Sequence, residues 1–281
     1  MIDTFKLHPE FIEVDNRKNR PIIVPSPEKN GPSYSYNINP EFMFKRHQVM
    51  LPLDLIKGKS ILDIGGCIGA SGDWSLANGA KHYTNIEFYP ECQELSKTLL
   101  SKYYSQNQYS VYDGSFSDFP IDKKYDIVVA AGTLYGSFDV FKFVEKMTKL
   151  SNEFVIIDAV HPFNGYRRLF PDASDADRKR VSQTLSIIQP SERIRQGIQS
   201  NKSLRVAASL VSITALKTMM KNHGFEYDES MYNQAELEIP EIYNVINHNR
   251  YLAKFFISNT KLVHLESEIK NPDANNAWVW K

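Results

Sequence analysis

Ile61-Leu62-Asp63-Ile64-Gly65-Gly66-Cys67-Ile68-Gly69 decides how the rest of the chain is read. Ser60 to Ile64 is an apolar run of strand length that breaks abruptly into glycines. Gly65 lets the backbone turn tightly against a ligand, and Gly69 lets a following helix start close to it. In an open parallel sheet, ligands sit at the carboxyl ends of strands, where the chain leaves a strand for a helix. This segment is such a junction.

Outward from it, short apolar runs alternate with amphipathic stretches. A helix is predicted from about Gly69 to Asn78, a strand over His82 to Ile86, and a helix opening at Pro90 with Leu95, Leu99 and Leu100 on one stripe. Strands follow at Tyr109 to Tyr112, Tyr125 to Ala130 and Phe154 to Ile157, with a helix over Val140 to Leu150 between the last two. Such alternation means βαβ units and a doubly wound parallel sheet. The rhythm stops after Asp158 for about fifty residues and resumes with a helix from Ser212, a plausible N-cap, to about His223, ended by Gly224. Two last strands, Phe225 to Tyr227 and Tyr251 to Ile257, are expected to pair antiparallel.

The 281 residues carry 33 basic and 33 acidic side chains, which excludes a bulk polycation. With 42% apolar and 23% charged residues the composition is globular. Apolar runs fall far short of the roughly 18–20 residues that span a bilayer, and the charged N-terminus lacks a secretory centre. No membrane contact and a cytoplasmic location are therefore expected. Cys67 and Cys92 belong to no CxxC or Cys/His cluster, so neither a disulfide framework nor a metal site is expected. Residues 1–58 read as an N-terminal arm and helix, with Tyr34, Tyr36, Phe42 and Phe44 packing on the body and Pro52 interrupting the helix from Glu41 to Ile56. Residues 59–281 read as the main domain, built around this sheet.

Glu87 lies 24 residues after Asp63, at the end of the second strand. A carboxylate there can accept hydrogen bonds from both hydroxyls of a ribose, so a nucleoside-containing cofactor is expected. The G-x-G-x-x-G spacing of a nicotinamide site is missing. Asp-Ile-Gly-Gly-Cys-Ile-Gly instead resembles motif I of class I S-adenosylmethionine-dependent methyltransferases, with Cys67 replacing the middle glycine. This form looks like the FkbM-type variant, and Ile86-Glu87-Phe88-Tyr89-Pro90-Glu91 is similar to that group's second motif.

The resemblance covers about Lys57 to Pro162 and Ser212 to Ser258. It implies a Rossmann-like seven-stranded α/β sheet in the order 3-2-1-4-5-7-6, with strand 7 antiparallel. It further implies S-adenosyl-L-methionine as cofactor. Gly65 and Gly66 would approach its methionine part, and Asp63 would orient the loop or reach the amino group through water. Glu87 would hold the ribose and Phe88 lie against the adenine. Asp113-Gly114-Ser115-Phe116 occupies the place of the adenine motif, with Asp113, Ser115 or backbone as the recognising group. Gly69, Phe116 and Ala131 complete the implied cofactor contacts.

Methyl transfer from a sulfonium is an in-line displacement in which alignment supplies most of the acceleration, and a hydroxyl acceptor gains from a general base. Candidates at the strand ends are Tyr135, Asp158 and His161. Ala130-Ala131-Gly132-Thr133-Leu134-Tyr135 lacks the Asn/Asp-Pro-Pro-Tyr/Phe motif of many amino-group methyltransferases, and Ala131 stands where metal-dependent catechol-type enzymes place an aspartate. Thr133-Leu134-Tyr135-Gly136 is weakly similar to a stretch of enzymes that modify the tRNA wobble uridine, which keeps RNA as an alternative substrate. The segment from His161 to Leu210 reads as an inserted substrate-binding lid. It holds nine basic against four acidic side chains, and its arginines suit a small acceptor bearing phosphate, carboxylate or a nucleotide. Its sparse aromatic residues disfavour single-stranded RNA. The expected function is O-methylation of a small anionic or carbohydrate-type acceptor. The alternatives are an RNA methyltransferase and a catalytically inactive cofactor-binding partner subunit.

Overall fold

The computed structural model describes residues 7–11, 40–137, 139–162, 172–184, 187–191, 206–239, 243 and 250–258. The proline-rich stretch with Tyr34 and Tyr36, much of the 161–210 insertion and the tail after residue 258 lie outside them. Helix α1 (Pro40–Met50) ends just before Pro52, which caps the single turn α2 (Leu53–Ile56). Proline removes a backbone donor, so the expected helix becomes two pieces.

Strand β1 (Ser60–Ile64) leads through the glycine turn into α3 (Ala70–Ala77) and then β2 (His82–Glu87). Helix α4 (Pro90–Tyr103) has its proline in the first turn, where a missing N–H costs nothing. Then come β3 (Tyr109–Asp113), β4 (Tyr125–Ala131), α5 (Val140–Leu150) and β5 (Ser151–Val160). The insertion contributes α6 (Asp175–Thr184) and a separate two-stranded antiparallel sheet of β6 (Ile187–Ser191) and β7 (Val206–Leu210). Helix α7 (Ile213–Asn222) is capped by Ser212, whose Oγ accepts the Ala215 N–H at 3.2 Å. Strand β8 (Phe225–Asp228), helix α8 (Glu229–Glu238) and β9 (Arg250–Ile257) complete the described chain.

The main sheet has the order β3-β2-β1-β4-β5-β9-β8. Counted along this sheet alone it reads 3-2-1-4-5-7-6, with β9 antiparallel to both β5 and β8, as expected. Successive strand residues face opposite sides, and two cores result. Leu62, Val128, Val155 and Ile157 meet Val144 and Met147 of α5 and Leu216 and Met220 of α7. Ile61, Ile127, Val129 and Ile156 meet Trp74 of α3, Leu99 and Leu100 of α4, and Met50, Leu51 and Ile56 from the N-terminal helices. Trp74 is fully buried, donates its Nε1–H to the Leu51 carbonyl at 2.8 Å, and takes the edge of Phe44. The N-terminal helices thus pack directly on the sheet's helical cover.

Candidate functional site

Three left-handed residues carry the chain from β1 into α3: Gly65 (φ 73°), Cys67 (φ 54°) and Gly69 (φ 85°). Gly65 extends the ladder by donating its N–H to the Ile86 carbonyl at 2.7 Å. The Asn85 side chain, which the sequence did not single out, fixes Gly66 and Cys67 in place. It accepts the Gly66 N–H at 3.1 Å and donates to the Cys67 carbonyl and to Ser96 Oγ, each at 3.0 Å. A β-carbon on Gly66 would lie 2.6–2.7 Å from Asp63 Oδ2, the Tyr83 hydroxyl and Asn85 Oδ1, so only glycine lets the loop settle there.

Glu87 is held by main chain. Oε2 accepts the Cys67 N–H at 2.9 Å, while Oε1 accepts the N–H groups of Phe88 and Tyr89, both at 2.8 Å. A carboxylate has about four lone-pair directions, so a donor arriving from the cleft can still be accepted. Asp63 is 1% exposed; its Oδ2 accepts the Tyr83 hydroxyl at 2.9 Å, and its Oδ1 has no hydrogen-bond partner among the described residues. Burial pushes this carboxyl up to about 6, against the pull of Tyr83 and Ser71.

A cleft of about 860 Å³ opens at the carboxyl edge of the sheet. Of the expected site residues, Gly65, Glu87, Phe88, Ser115, Phe116 and Tyr135 line it. Phe88 is 60% exposed and offers its ring to the cleft beside Glu87. Ser115 Oγ bonds to Ser117 Oγ and donates to Asp118 Oδ2 at 2.9 Å. Lys142, Lys146 and Lys149 of α5 also line the cleft, together with Asp139 and Glu145. Two of these lysines have carboxylates: Lys142 meets Asp139, and Lys149 meets Glu145. Lys146 instead donates to the Ser117 carbonyl at 2.7 Å and lies over the Phe116 ring, and burial pulls its ammonium down from the usual lysine range. Thr133 stands against Gly65, and the turn Leu134–Gly136 presents Tyr135.

The other expected residues do not line the cleft. Asp63 and Gly66 support the loop from behind, and Gly69 is the N-cap of α3. Asp113 pairs with Lys97 at 2.9 Å on the surface. Ala131 packs in the hydrophobic layer. Asp158 and His161, read from sequence as base candidates at a strand end, lie buried away from the cleft lining. Asp158 is fully buried. Arg46 Nη2 reaches its Oδ2 at 2.6 Å, Arg250 Nε reaches its Oδ1 at 2.8 Å, and the Tyr243 hydroxyl donates to Oδ2 at 3.0 Å. The two guanidiniums hold this carboxyl below its usual range despite its burial, so it stays an anion. His161 is also fully buried, with its ring edge-on to Tyr251 at 5.9 Å between centroids. Strand-end position was all the sequence could offer; the partners at 46, 243 and 250 are remote from it.

Part of the insertion reaches the same end of the sheet. Ser209 of β7 donates its Oγ to the carbonyl of Ser137, a cleft residue, at 3.0 Å. In α6, Arg178 pairs with Asp175 at 2.8 Å and Arg180 with Asp177 at 3.4 Å, so some of the arginine charge is spent within the helix. The sequence also missed a cluster by the cleft: Cys67, Glu87 and Cys92 place one donor atom each within 4.8 Å of one another. The cysteines lie 25 residues apart, a spacing that belongs to no metal or redox motif. Among the described residues, no helix is long and apolar enough to cross a membrane.

No protein-family model and no curated protein sequence matches the chain. Solved structures do. A candidate S-adenosylmethionine-dependent methyltransferase from Listeria monocytogenes superposes with a TM-score of 0.54 at 14% identity, over 78% of this chain and 100% of that one. An S-adenosylmethionine-dependent methyltransferase from Mesorhizobium loti gives 0.53 at 12% identity, over 75% and 95%. The CcbJ methyltransferase from Streptomyces caelestis gives 0.51 at 13%, over 76% and 90%. The chain has the fold of S-adenosylmethionine-dependent methyltransferases.

Proposed function

We propose that the chain is an S-adenosylmethionine-dependent methyltransferase that methylates a hydroxyl of a small anionic or carbohydrate-type acceptor. The observation that carries this reading is Glu87, a cleft carboxylate fixed by three backbone N–H groups at the end of β2, beside the Gly65–Gly69 turn. The residues fit the cofactor. Asp63 Oδ1 is a buried acceptor with no partner among the described residues, and Gly66 keeps the loop free of a β-carbon above it. Glu87 would accept ribose hydroxyls, Phe88 would cover one face of the adenine, and Ser115 and Phe116 would bound its edge. Asp63 would act on the amino end through the loop.

When bound, the cofactor supplies an electrophilic methyl on a sulfonium. The chain's own task is then to bring an acceptor oxygen into line and exclude water. Tyr135, the base candidate that lines the cleft, is the group to receive or orient the acceptor hydroxyl. Lys146, the cleft lysine held by a carbonyl where Lys142 and Lys149 meet carboxylates, favours an anionic acceptor.

Calorimetry with S-adenosylhomocysteine tests the cofactor assignment. Glu87→Ala should weaken binding by about tenfold or more, and equal affinity for variant and wild type would remove Glu87 from the site. Incubation with candidate acceptors, read by mass spectrometry for gain of one methyl, tests the activity. The same lysine row could follow a phosphodiester backbone, so binding to bulk RNA that weakens steeply with salt would favour the RNA reading. No methylated product from any cell fraction would favour an inactive partner subunit.

A further inference from the structure

Cys67 stands where the glycine motif has its middle glycine, and it keeps the left-handed φ of 54° that glycine adopts freely. A side chain in that conformation is strained. Its sulfur donates to Cys92 Sγ at 3.4 Å, although the two residues come from different elements. Cys92 lies in the first turn of the 14-residue α4, where the helix's N-terminal N–H groups favour an anionic sulfur and the Glu87 carboxylate, within 4.8 Å, opposes it. Both cysteines are half-buried, and Cys67 lines the cleft. A small oxidant has access to the pair.

We infer that Cys67 and Cys92 form a reversible disulfide that closes the proposed cofactor site. Hydrogen peroxide is the oxidant. The Cys92 thiolate attacks one peroxide oxygen, the O–O bond breaks, and the departing hydroxide takes up the proton that Cys92 lost, leaving a sulfenic acid and one water. Cys67 sulfur then attacks the Cys92 sulfur and loses its proton; the S–O bond breaks, and the second hydroxide leaves with that proton as water. Two thiols are oxidised by two electrons, and peroxide is reduced to two waters.

Bond formation must bring the sulfurs from 3.4 Å to about 2.05 Å. That movement pulls Cys67 toward α4. The Cys67 N–H is one of the three that fix Glu87, and the Cys67 carbonyl is one of the two groups that Asn85 donates to. The turn and the carboxylate are therefore displaced together. Replacing the motif glycine by cysteine makes the cofactor loop itself the oxidation sensor.

The effect on binding rests on the cofactor reading above; the cross-link does not. The test uses the full chain, reduced and then treated with hydrogen peroxide. Digestion without reductant, followed by mass spectrometry, should yield a peptide joining Cys67 to Cys92. S-adenosylhomocysteine affinity should fall by about tenfold or more and return with dithiothreitol. Cys92→Ser should bind like the reduced wild type before and after peroxide. Absence of the linked peptide, or a linked chain with undiminished affinity, overturns the inference. A reduced chain that binds no S-adenosylhomocysteine overturns the cofactor reading instead, while the linked peptide still decides the thiol pair.

Discussion

Tyr83 donates its hydroxyl to Asp63 Oδ2 at 2.9 Å, and the absent β-carbon of Gly66 would lie 2.6 Å from both of those oxygens. The glycine loop therefore covers a carboxyl that water cannot reach. Asp63 carries a folded pKa of about 6 against an unfolded value of about 3.9. The folded state holds this proton more tightly, so the stability linked to it is full below pH 3.9 and is lost as pH rises through 6. Asp63→Asn removes that loss. The variant should be more stable than wild type above pH 6, by on the order of 3 kcal/mol, and should converge with it near pH 4. Urea unfolding at the two pH values reads the difference, and an equal offset at both would contradict the assignment.

His47 titrates in the opposite sense. It is 1% exposed, its Nδ1 contacts the Met43 carbonyl at 2.7 Å, and burial together with Arg46 lowers it to about 4. The unfolded chain takes up this proton below about 6.5, whereas the folded chain refuses it until about 4, so stability falls as pH drops through that window. The contributions of Asp63 and His47 oppose each other over nearly the same range. His47→Gln should leave a stability that declines from pH 4 to 6.5, and Asp63→Asn one that climbs. Denaturation midpoints at pH 4.5, 5.5 and 6.5 check this, and parallel profiles for the two variants would refute it.

Asp158→Ala would leave Arg46 and Arg250 buried around a missing carboxylate. Breaking such a pair costs about 3–5 kcal/mol, so the urea midpoint should fall sharply. Arg46→Met leaves Asp158 still paired with Arg250 and should cost less. An Asp158→Ala protein of wild-type stability with slowed turnover would restore the aspartate as a base.

Gly65 tests the fit of the turn. A β-carbon there would meet Thr133 Cγ2 at 2.3 Å, and φ is 73°. Gly65→Ala should destabilise by about 1–3 kcal/mol. Adding Thr133→Ser removes the clashing methyl but leaves the backbone strain, so thermal unfolding should show partial recovery. Full recovery would mean that the left-handed backbone costs nothing.

The sheet was legible because β1, β4 and β5 contain short apolar runs bounded by turn residues, a pattern that depends only on neighbours in sequence, and the more polar β2 and β3 follow from the same alternation with helices. The hairpin escaped notice for the opposite reason: Val206–Leu210 contains two alanines and a serine, and Pro190 sits in its partner. Helix α8 was missed because its stripe is thin, with Met231 and Ala235 as its buried residues. Glu87 could be found from the end of its strand. Asn85, two positions earlier, could not, since its role exists only once Gly66 and Cys67 fold back over it. Strand-end position could not show that Asp158 is claimed by cations arriving from 112 and 92 residues away.

That separation bears on how the protein is made. Arg46 lies early in the chain, and the groups that share its counter-ion, Tyr243 and Arg250, lie near the end. A ribosome releases residue 46 roughly two hundred residues before residue 250, and contacts of such separation form late. During synthesis the Arg46–Asp158 pair lacks Tyr243 and Arg250 until the end of the chain emerges. The half of the sheet bearing the glycine turn can assemble first, while the anchor that joins α1 to β5 and β9 waits for the last strand.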